Sequence, residues 1–243
     1  MSERGKRKIK ALVVSPTREL AVQISENFKT YGTYSNLRST VVFGGTSIEP
    51  QIDVLTKGVD ILVATPGRLL DLHKQDIINL DYIETLVLDE ADHMLDLGFI
   101  KDITAVKKKL PQRHQTLFFS ATINKEIKKL AFSQVKTSAI RIQISPDDPV
   151  SKNVSHFVMF VEIDDKRFFL ERFIKDHPDS KIIVFVRTRV RAERVAKAMK
   201  RVQIDAFTIH GEKEQSSRSD VMQKFKNGDF SLLIATDVSA RGI

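Results

Sequence analysis

Leu86-Val87-Leu88-Asp89-Glu90-Ala91-Asp92 is a short apolar run that ends in three carboxylates within four residues. The apolar part reads as a buried strand, and the Asp-Glu pair falls at its C-terminal tip. Sites in open α/β sheets lie at that end of the strands. A carboxylate there can meet magnesium, and a second can meet an attacking water. The competing reading is an acidic helix start, where carboxylates offset the helix dipole and cap free N–H groups.

The same rhythm continues on both sides. Ala11–Val14, Thr40–Phe43, Ile61–Ala64 and Thr116–Phe119 are apolar runs of strand length. Arg18–Tyr31 is amphipathic, with Leu20, Ile24 and Phe28 at helical spacing, and Asn124–Phe132 repeats that pattern with Ile127, Leu130 and Ala131. Strand-helix alternation predicts a parallel sheet covered on both faces. The segment Ser145-Pro146-Asp147-Asp148-Pro149 has linker chemistry. After it the alternation restarts. Val154–Ile163, Lys181–Val186, Ile204–Ile209 and Phe230–Ala235 read as strands; Asp165–Lys175, Val190–Arg201 and Glu214–Asn227 read as helices. Two α/β domains are expected, over residues 1–145 and 153–243, joined by a linker at 146–152.

Composition narrows the partners. The chain has 243 residues, 42% hydrophobic and 29% charged, with no Cys. Disulfides and thiolate metal sites are therefore excluded, and a reducing cytoplasm is compatible. No stretch approaches the run of about 18 apolar residues that a membrane span needs. Net charge is +8, spread over both halves. Such a balance favours a polyanion such as nucleic acid.

Further strand tips carry polar turns. Pro16-Thr17-Arg18 and Thr65-Pro66-Gly67-Arg68 each end a strand and open a helix with an Arg nearby. Turns of that kind offer hydroxyls, backbone N–H groups and a positive helix end to phosphate. Gly44-Gly45 allows close backbone approach. Ser120-Ala121-Thr122 follows the next strand, where its hydroxyls can reach a carboxylate such as Asp92 or cap a helix. In the second half His210-Gly211 and Gln215-x-x-Arg218 suit phosphate contact, and Ala235–Ile243 reads as a binding loop.

These strings, in this order, resemble the DEAD-box RNA helicases of superfamily 2 from Pro16 to Ile243. They match motif Ia (Pro16–Leu20), the double glycine, motif Ib (Thr65–Arg68), motif II (Asp89–Asp92) and motif III (Ser120–Thr122). Motif IV (Ile183–Thr188), the Gln215-x-x-Arg218 element and motif V (Ala235–Gly242) follow. The wording Met94–Ile100 is most similar to the bacterial RhlE-like branch.

The resemblance implies two RecA-like parallel-sheet domains in tandem, both incomplete. It implies ATP and Mg²⁺ as cofactors in the complete protein, with Asp89 holding Mg²⁺ through water and Glu90 orienting the attacking water. Asp92, Ser120 and Thr122 would couple nucleotide state to domain closure. Pro16, Thr17, Arg18, Gly45, Thr65, Gly67 and Arg68 would line the RNA path in the first domain. Gly211, Gln215, Arg218, Thr236 and Arg187 would do so in the second, and Gly242 would lie near the nucleotide. RNA contacts would be sequence-tolerant. A cytoplasmic protein without membrane association is implied, monomeric when complete.

The departures from the family lie at the ends. Ahead of motif Ia the family has an adenine-reading Gln motif and a phosphate loop, and the chain opens about one strand before motif Ia. Motif VI, with its arginines, would follow Ile243. The chain is therefore expected to be a fragment of a helicase that does not hydrolyse ATP by itself. The alternatives are a non-catalytic RNA-binding or regulatory module and a DNA helicase of the same superfamily. His93, where the family more often has Arg, reads as branch variation rather than a metal ligand, because no partner at ligand spacing accompanies it.

Overall fold

The structure is a computed structural model that describes residues 7–144, 154–211, 213 and 215–236. The chain divides into two compact units, with the division between Ala139 and Ile140. The expected linker at 146–152 and Gly242 of motif V lie outside the described residues.

The first unit runs β1 (Ala11–Val14), α1 (Arg18–Tyr31), β2 (Ser39–Val42), α2 (Glu49–Thr56), β3 (Ile61–Ala64) and α3 (Pro66–Lys74). It continues with β4 (Thr85–Leu88), α4 (Ala91–Asp96), α5 (Ile100–Lys107), β5 (Gln115–Phe118) and α6 (Lys125–Gln134). The five strands are all parallel and stand in the order β2-β3-β1-β4-β5. Their last residues are in register: Val14 pairs with both Ala64 and Leu88, Val42 with Ala64, and Leu88 with Phe118. Every loop that leaves a strand tip therefore emerges on the same edge of the sheet.

The period-2 alternation of each strand feeds two cores. On one face Leu12, Val14, Leu62, Ala64, Leu86 and Leu88 pack with Leu69 and Leu72 of α3, Met94 of α4 and Ile103 of α5. On the other, Val13 and Val63 pack with Ala21, Ile24 and Phe28 of α1. Each fully buried aliphatic side chain contributes about 1.5–3 kcal/mol of transfer free energy. The α1 bounds match the sequence pattern, and Thr17 is its N-cap. The fully buried residue of its first turns is Ala21 rather than Leu20.

The second unit runs α7 (Lys166–Asp176), β6 (Ile182–Val186), α8 (Arg189–Arg201), β7 (Ala206–Ile209), α9 (Gln215–Asn227) and β8 (Leu232–Thr236). Its sheet is parallel, in the order β6-β8-β7. The central strand β8 is buried from Leu232 to Ala235. Ile174, Ala192 and Met199 cover one face with α7 and α8, and Phe225 covers the other with α9.

Residues 154–163 correct the sequence reading. They were expected as a strand, but none of them joins a ladder. Phe157 and Phe160 are more than 90% exposed. High β-propensity makes a strand only where a neighbour accepts its backbone hydrogen bonds, and the three described strands pair with one another alone. The strands at Thr40–Phe43 and Thr116–Phe119 each begin and end one residue earlier, at Ser39–Val42 and Gln115–Phe118. Among the described residues no helix is long and apolar enough to cross a membrane.

Candidate active site and nucleic-acid interface

The sheet order sorts the strand-tip residues into two halves. The tips of β2, β3 and β1 are neighbours and carry Gly45, Thr65–Arg68 and Pro16–Arg18. The tips of β4 and β5 are neighbours and carry Asp89, Glu90, Asp92, Ser120 and Thr122.

On the acidic half, the turn after β4 is stitched to β5 through the main chain. The Phe119 N–H donates to the Leu88 carbonyl at 2.8 Å, and the Ala91 N–H to the Phe119 carbonyl at 3.0 Å. The Asp89 N–H donates to the Val14 carbonyl at 3.0 Å. Glu90 turns the chain in the left-handed region, at φ 49° and ψ 51°. A non-glycine residue in that region is strained and is found where surrounding contacts over-determine it, often at functional sites. His93 Nδ1 lies 3.2 Å from Glu90 Oε2.

Burial pushes the Asp89 carboxyl above its ordinary range, and the nearby Glu90 and Asp92 carboxylates add to that; the Glu90 N–H, 2.9 Å from Oδ1, opposes it. Asp92 goes the other way. Burial raises it, but the Thr122 hydroxyl and the His93 and Thr122 amides outweigh burial and hold it below its ordinary range. Asp92 Oδ2 accepts from the Thr122 N–H at 3.1 Å and from Thr122 Oγ1 at 3.0 Å. The Ser120 hydroxyl donates instead to the Thr122 carbonyl at 2.9 Å. Neither caps α6, whose N-cap is Asn124.

Among the described residues no group of three or more His, Asp or Glu side chains could hold a metal ion. Magnesium needs no such cage in a nucleotide site, where one or two carboxylates suffice and phosphates and water complete the octahedron. Asp89, a partly buried carboxylate at a strand tip, fits that demand. The triphosphate is different: the sequence contains no Gly-x-x-x-x-Gly-Lys-[Ser/Thr] string.

On the other half, Pro16 and Thr17 are buried. The Thr17 hydroxyl caps α1, accepting from the Leu20 N–H at 3.3 Å. Thr65 and Pro66 are also buried, whereas Gly67 is exposed. Arg68 donates to the Thr46 carbonyl at 3.0 Å, and its Nε lies 3.9 Å from Asp71. Its Nη1 is buried with no hydrogen-bond partner, an arrangement that leaves a cationic donor unsatisfied beside the loop. Gly45 has φ 77°, and a Cβ there would sit on the Arg18 guanidinium. Gly45 thus joins the β2 tip to the β1 tip.

Motif reading missed Gln51. Its amide accepts from the Phe43 N–H at 3.1 Å and donates to the Phe43 carbonyl, the Thr46 hydroxyl and the Ser47 carbonyl. That clamps the double-glycine loop from α2. A lone Gln in a helix gives no signal in a sequence; only the fold brings it to the loop.

In the second unit Arg187, Thr236 and Gly211 stand at the tips of β6, β8 and β7, so the sheet order places Thr236 between the other two. Arg187 and Gly211 are exposed, and Arg218 on α9 is buried. Gln215 begins α9. His210 is buried, with Nε2 at 2.9 Å from Glu193 Oε1.

Residues 1–130 match the family described as DEAD/DEAH box helicase, and residues 165–243 match the helicase conserved C-terminal domain. The chain belongs to the DEAD/DEAH box helicase family. DEAD-box ATP-dependent RNA helicase CshA of Streptococcus pneumoniae is 40% identical over 235 residues, 97% of this chain and 45% of the relative. ATP-dependent RNA helicase RhlB of Shewanella amazonensis is 35% identical, over 96% of this chain and 54% of the relative. The chain spans about half the length of the curated relatives it matches. These relatives are named CshA and RhlB rather than RhlE. A structure of S. cerevisiae Dbp5 bound to RNA and ADP BeF3 superposes with a TM-score of 0.82 at 26% identity, over 100% of this chain and 61% of that one. The two parallel-sheet units are those of RecA-like helicase domains.

Proposed function

We propose that this helicase chain binds single-stranded RNA through its phosphates and carries the magnesium-binding carboxylates of an ATP-dependent RNA helicase, without hydrolysing ATP alone. In the complete protein, ATP binding and hydrolysis would drive duplex unwinding or remodelling of RNA–protein complexes. The observation that carries the reading is the sorting of strand tips. The basic and glycine-bearing tips of β2, β3 and β1 adjoin one another, and the carboxylates occupy the other half of the edge.

Each group then has one task. Arg18 and Arg68 bring cationic donors to the phosphate side, and Gly45 and Gly67 keep the backbone open to a strand. Asp89 would hold magnesium, which would neutralise charge on the phosphates when bound. Glu90, turned out of the helical path by its left-handed backbone, orients water. Asp92 and Thr122 lock the β4 tip to the β5 tip, so that a shift at one is felt at the other. ATP supplies the phosphoryl group when bound, and the loop that would cradle it is not in this chain.

The test combines two assays on the whole chain. Fluorescence anisotropy of a labelled single-stranded RNA is expected to show sequence-tolerant binding that weakens linearly in log salt. Arg68→Gln is expected to weaken it roughly tenfold, the effect of losing one charge-assisted contact. Phosphate release from ATP with RNA present is expected to stay at background. Salt-insensitive binding, or none, overturns the RNA reading; RNA-stimulated phosphate release overturns the claim of inactivity. Salt-dependent RNA binding with no binding of nucleotide favours the non-catalytic module instead, and tighter binding of DNA than of RNA favours the DNA helicase.

A further inference from the structure

The second unit has a basic groove along α8 that extends beyond the motif residues. In 13 residues α8 holds Arg189, Arg191, Arg194, Lys197, Lys200 and Arg201 against a single acid, Glu193. Arg194, Lys197 and Arg201 recur at helical steps, so they share a face. All three are exposed. They line two adjoining concavities of about 320 Å³ each, which meet at Arg194 and Lys197. One extends to Arg189 and His210; the other reaches Arg167 of α7.

Helix stability accounts for this stripe only at its end, where Lys200 and Arg201 stand in the last turn and offset the helix dipole. Arg194–Lys197 and Lys197–Arg201 are like-charged neighbours on one face, which destabilise a helix. Arg191 stands in a first turn that holds no acid, at the positive end of the helix dipole. The one acid of the helix, Glu193, lines the same groove but is bonded on its β7 side. Glu193 accepts from the Thr208 hydroxyl at 2.6 Å and lies 2.9 Å from His210 Nε2 and 3.4 Å from Lys213 Nζ. Among the described residues, Arg167, Arg194, Lys197 and Arg201 have no carboxylate partner. His210, only 7% exposed, lines the groove with a buried Nδ1 that has no hydrogen-bond partner.

We infer that the α7–α8 groove is a further phosphate track for RNA, which leaves the β6 and β7 tips at Arg189 and His210 and runs along α8. This rests on the RNA reading above. Arg194 to Arg201 spans about 10 Å of helix axis, or about three steps at roughly 3.4 Å per nucleotide, the rise along one strand of a duplex. The apolar lining comes from Val190, Val195 and Ala198 and from the aliphatic stems of the Arg and Lys side chains. A groove of that kind has no deep apolar pocket for the aromatic or aliphatic anchor on which a protein partner depends. A regular row of phosphates needs none.

The experiment compares the whole chain with its Arg194→Gln, Lys197→Gln, Arg201→Gln triple variant, by anisotropy of a labelled single-stranded RNA over a salt series. Three lost phosphate contacts are expected to flatten the log–log salt slope by about 2, at roughly 0.7 per contact. Affinity at low salt is expected to fall about tenfold or more. The charge-conserving Arg194→Lys, Lys197→Arg, Arg201→Lys variant is expected to keep the wild-type slope. Lys197→Gln alone is expected to flatten it by about 0.7, so a triple variant that fails to fold does not end the test. An unchanged slope in the Gln variants, with binding still weakened by Arg68→Gln, overturns the groove and leaves the RNA reading standing. No RNA binding by the wild type overturns both. Unchanged RNA binding together with lost affinity for polyglutamate assigns the groove to an acidic protein and overturns the inference.

Discussion

Asp92 and Thr122 lie 30 residues apart and are joined twice: Oδ2 of Asp92 accepts both the backbone N–H and the hydroxyl of Thr122. This pair ties the tip of β4 to the tip of β5, where the main-chain bonds of Phe119 already hold the two strands together. Thr122→Val keeps the shape and the N–H bond but removes the hydroxyl. The expected loss is about 1.5–3 kcal/mol, the usual range for a hydrogen bond to a charged group. Urea unfolding of the first unit measures it, and a variant as stable as wild type contradicts it.

Gly45 has a positive φ and lies under the Arg18 guanidinium. Gly45→Ala adds left-handed strain of about 1–2 kcal/mol and forces Arg18 aside. Stability in urea is expected to fall by at least that amount. RNA affinity is expected to fall with it, because one substitution disturbs two neighbouring strand tips.

Asp89 carries a carboxyl raised by burial. A carboxyl whose folded pKa exceeds its unfolded value opposes folding once ionised, and stability returns as pH falls through the folded pKa. Asp89→Asn removes that charge and keeps an acceptor for the Glu90 N–H. The variant is therefore expected to melt above wild type near pH 7, and the gap is expected to close toward pH 4. Melting curves over that range decide it; a gap that widens on acidification is the contrary result.

Glu193 is held down from 4.5 to about 2, first by the Thr208 hydroxyl, then by His210 and Lys213. Its stabilising effect on the second unit is fully present above the ordinary 4.5 and is lost as pH falls toward about 2. Wild type is expected to lose stability across that window faster than Glu193→Gln. Thermal melts of the two chains between pH 5 and about 2 compare the slopes.

Much of the fold was legible because its signals are local. Each buried strand of the first unit reads as an apolar run, and α1 reads from Arg18 to Tyr31 as an amphipathic pattern. Residues 154–163 misled for the same reason. Phe157, Val158 and Phe160 suit a strand locally, but a strand exists only with a hydrogen-bonding neighbour. Gln51 was illegible because its clamp on Phe43, Thr46 and Ser47 depends on where α2 packs, which no local pattern encodes.

The sequence alone determined the family motifs, the alternation of strand and helix, and the absence of a phosphate loop, since each is a matter of which residues follow which. The tertiary structure alone decided the strand order β2-β3-β1-β4-β5, and with it the separation of basic tips from acidic ones. It also decided that Thr122 serves Asp92 rather than a helix cap, and that Glu193 turns to Thr208 and His210 while Arg194, Lys197 and Arg201 have no ion pair with it among the described residues. Those outcomes depend on which distant segments the cores of the two units bring within hydrogen-bonding distance, and a linear pattern of residue types carries no such distance.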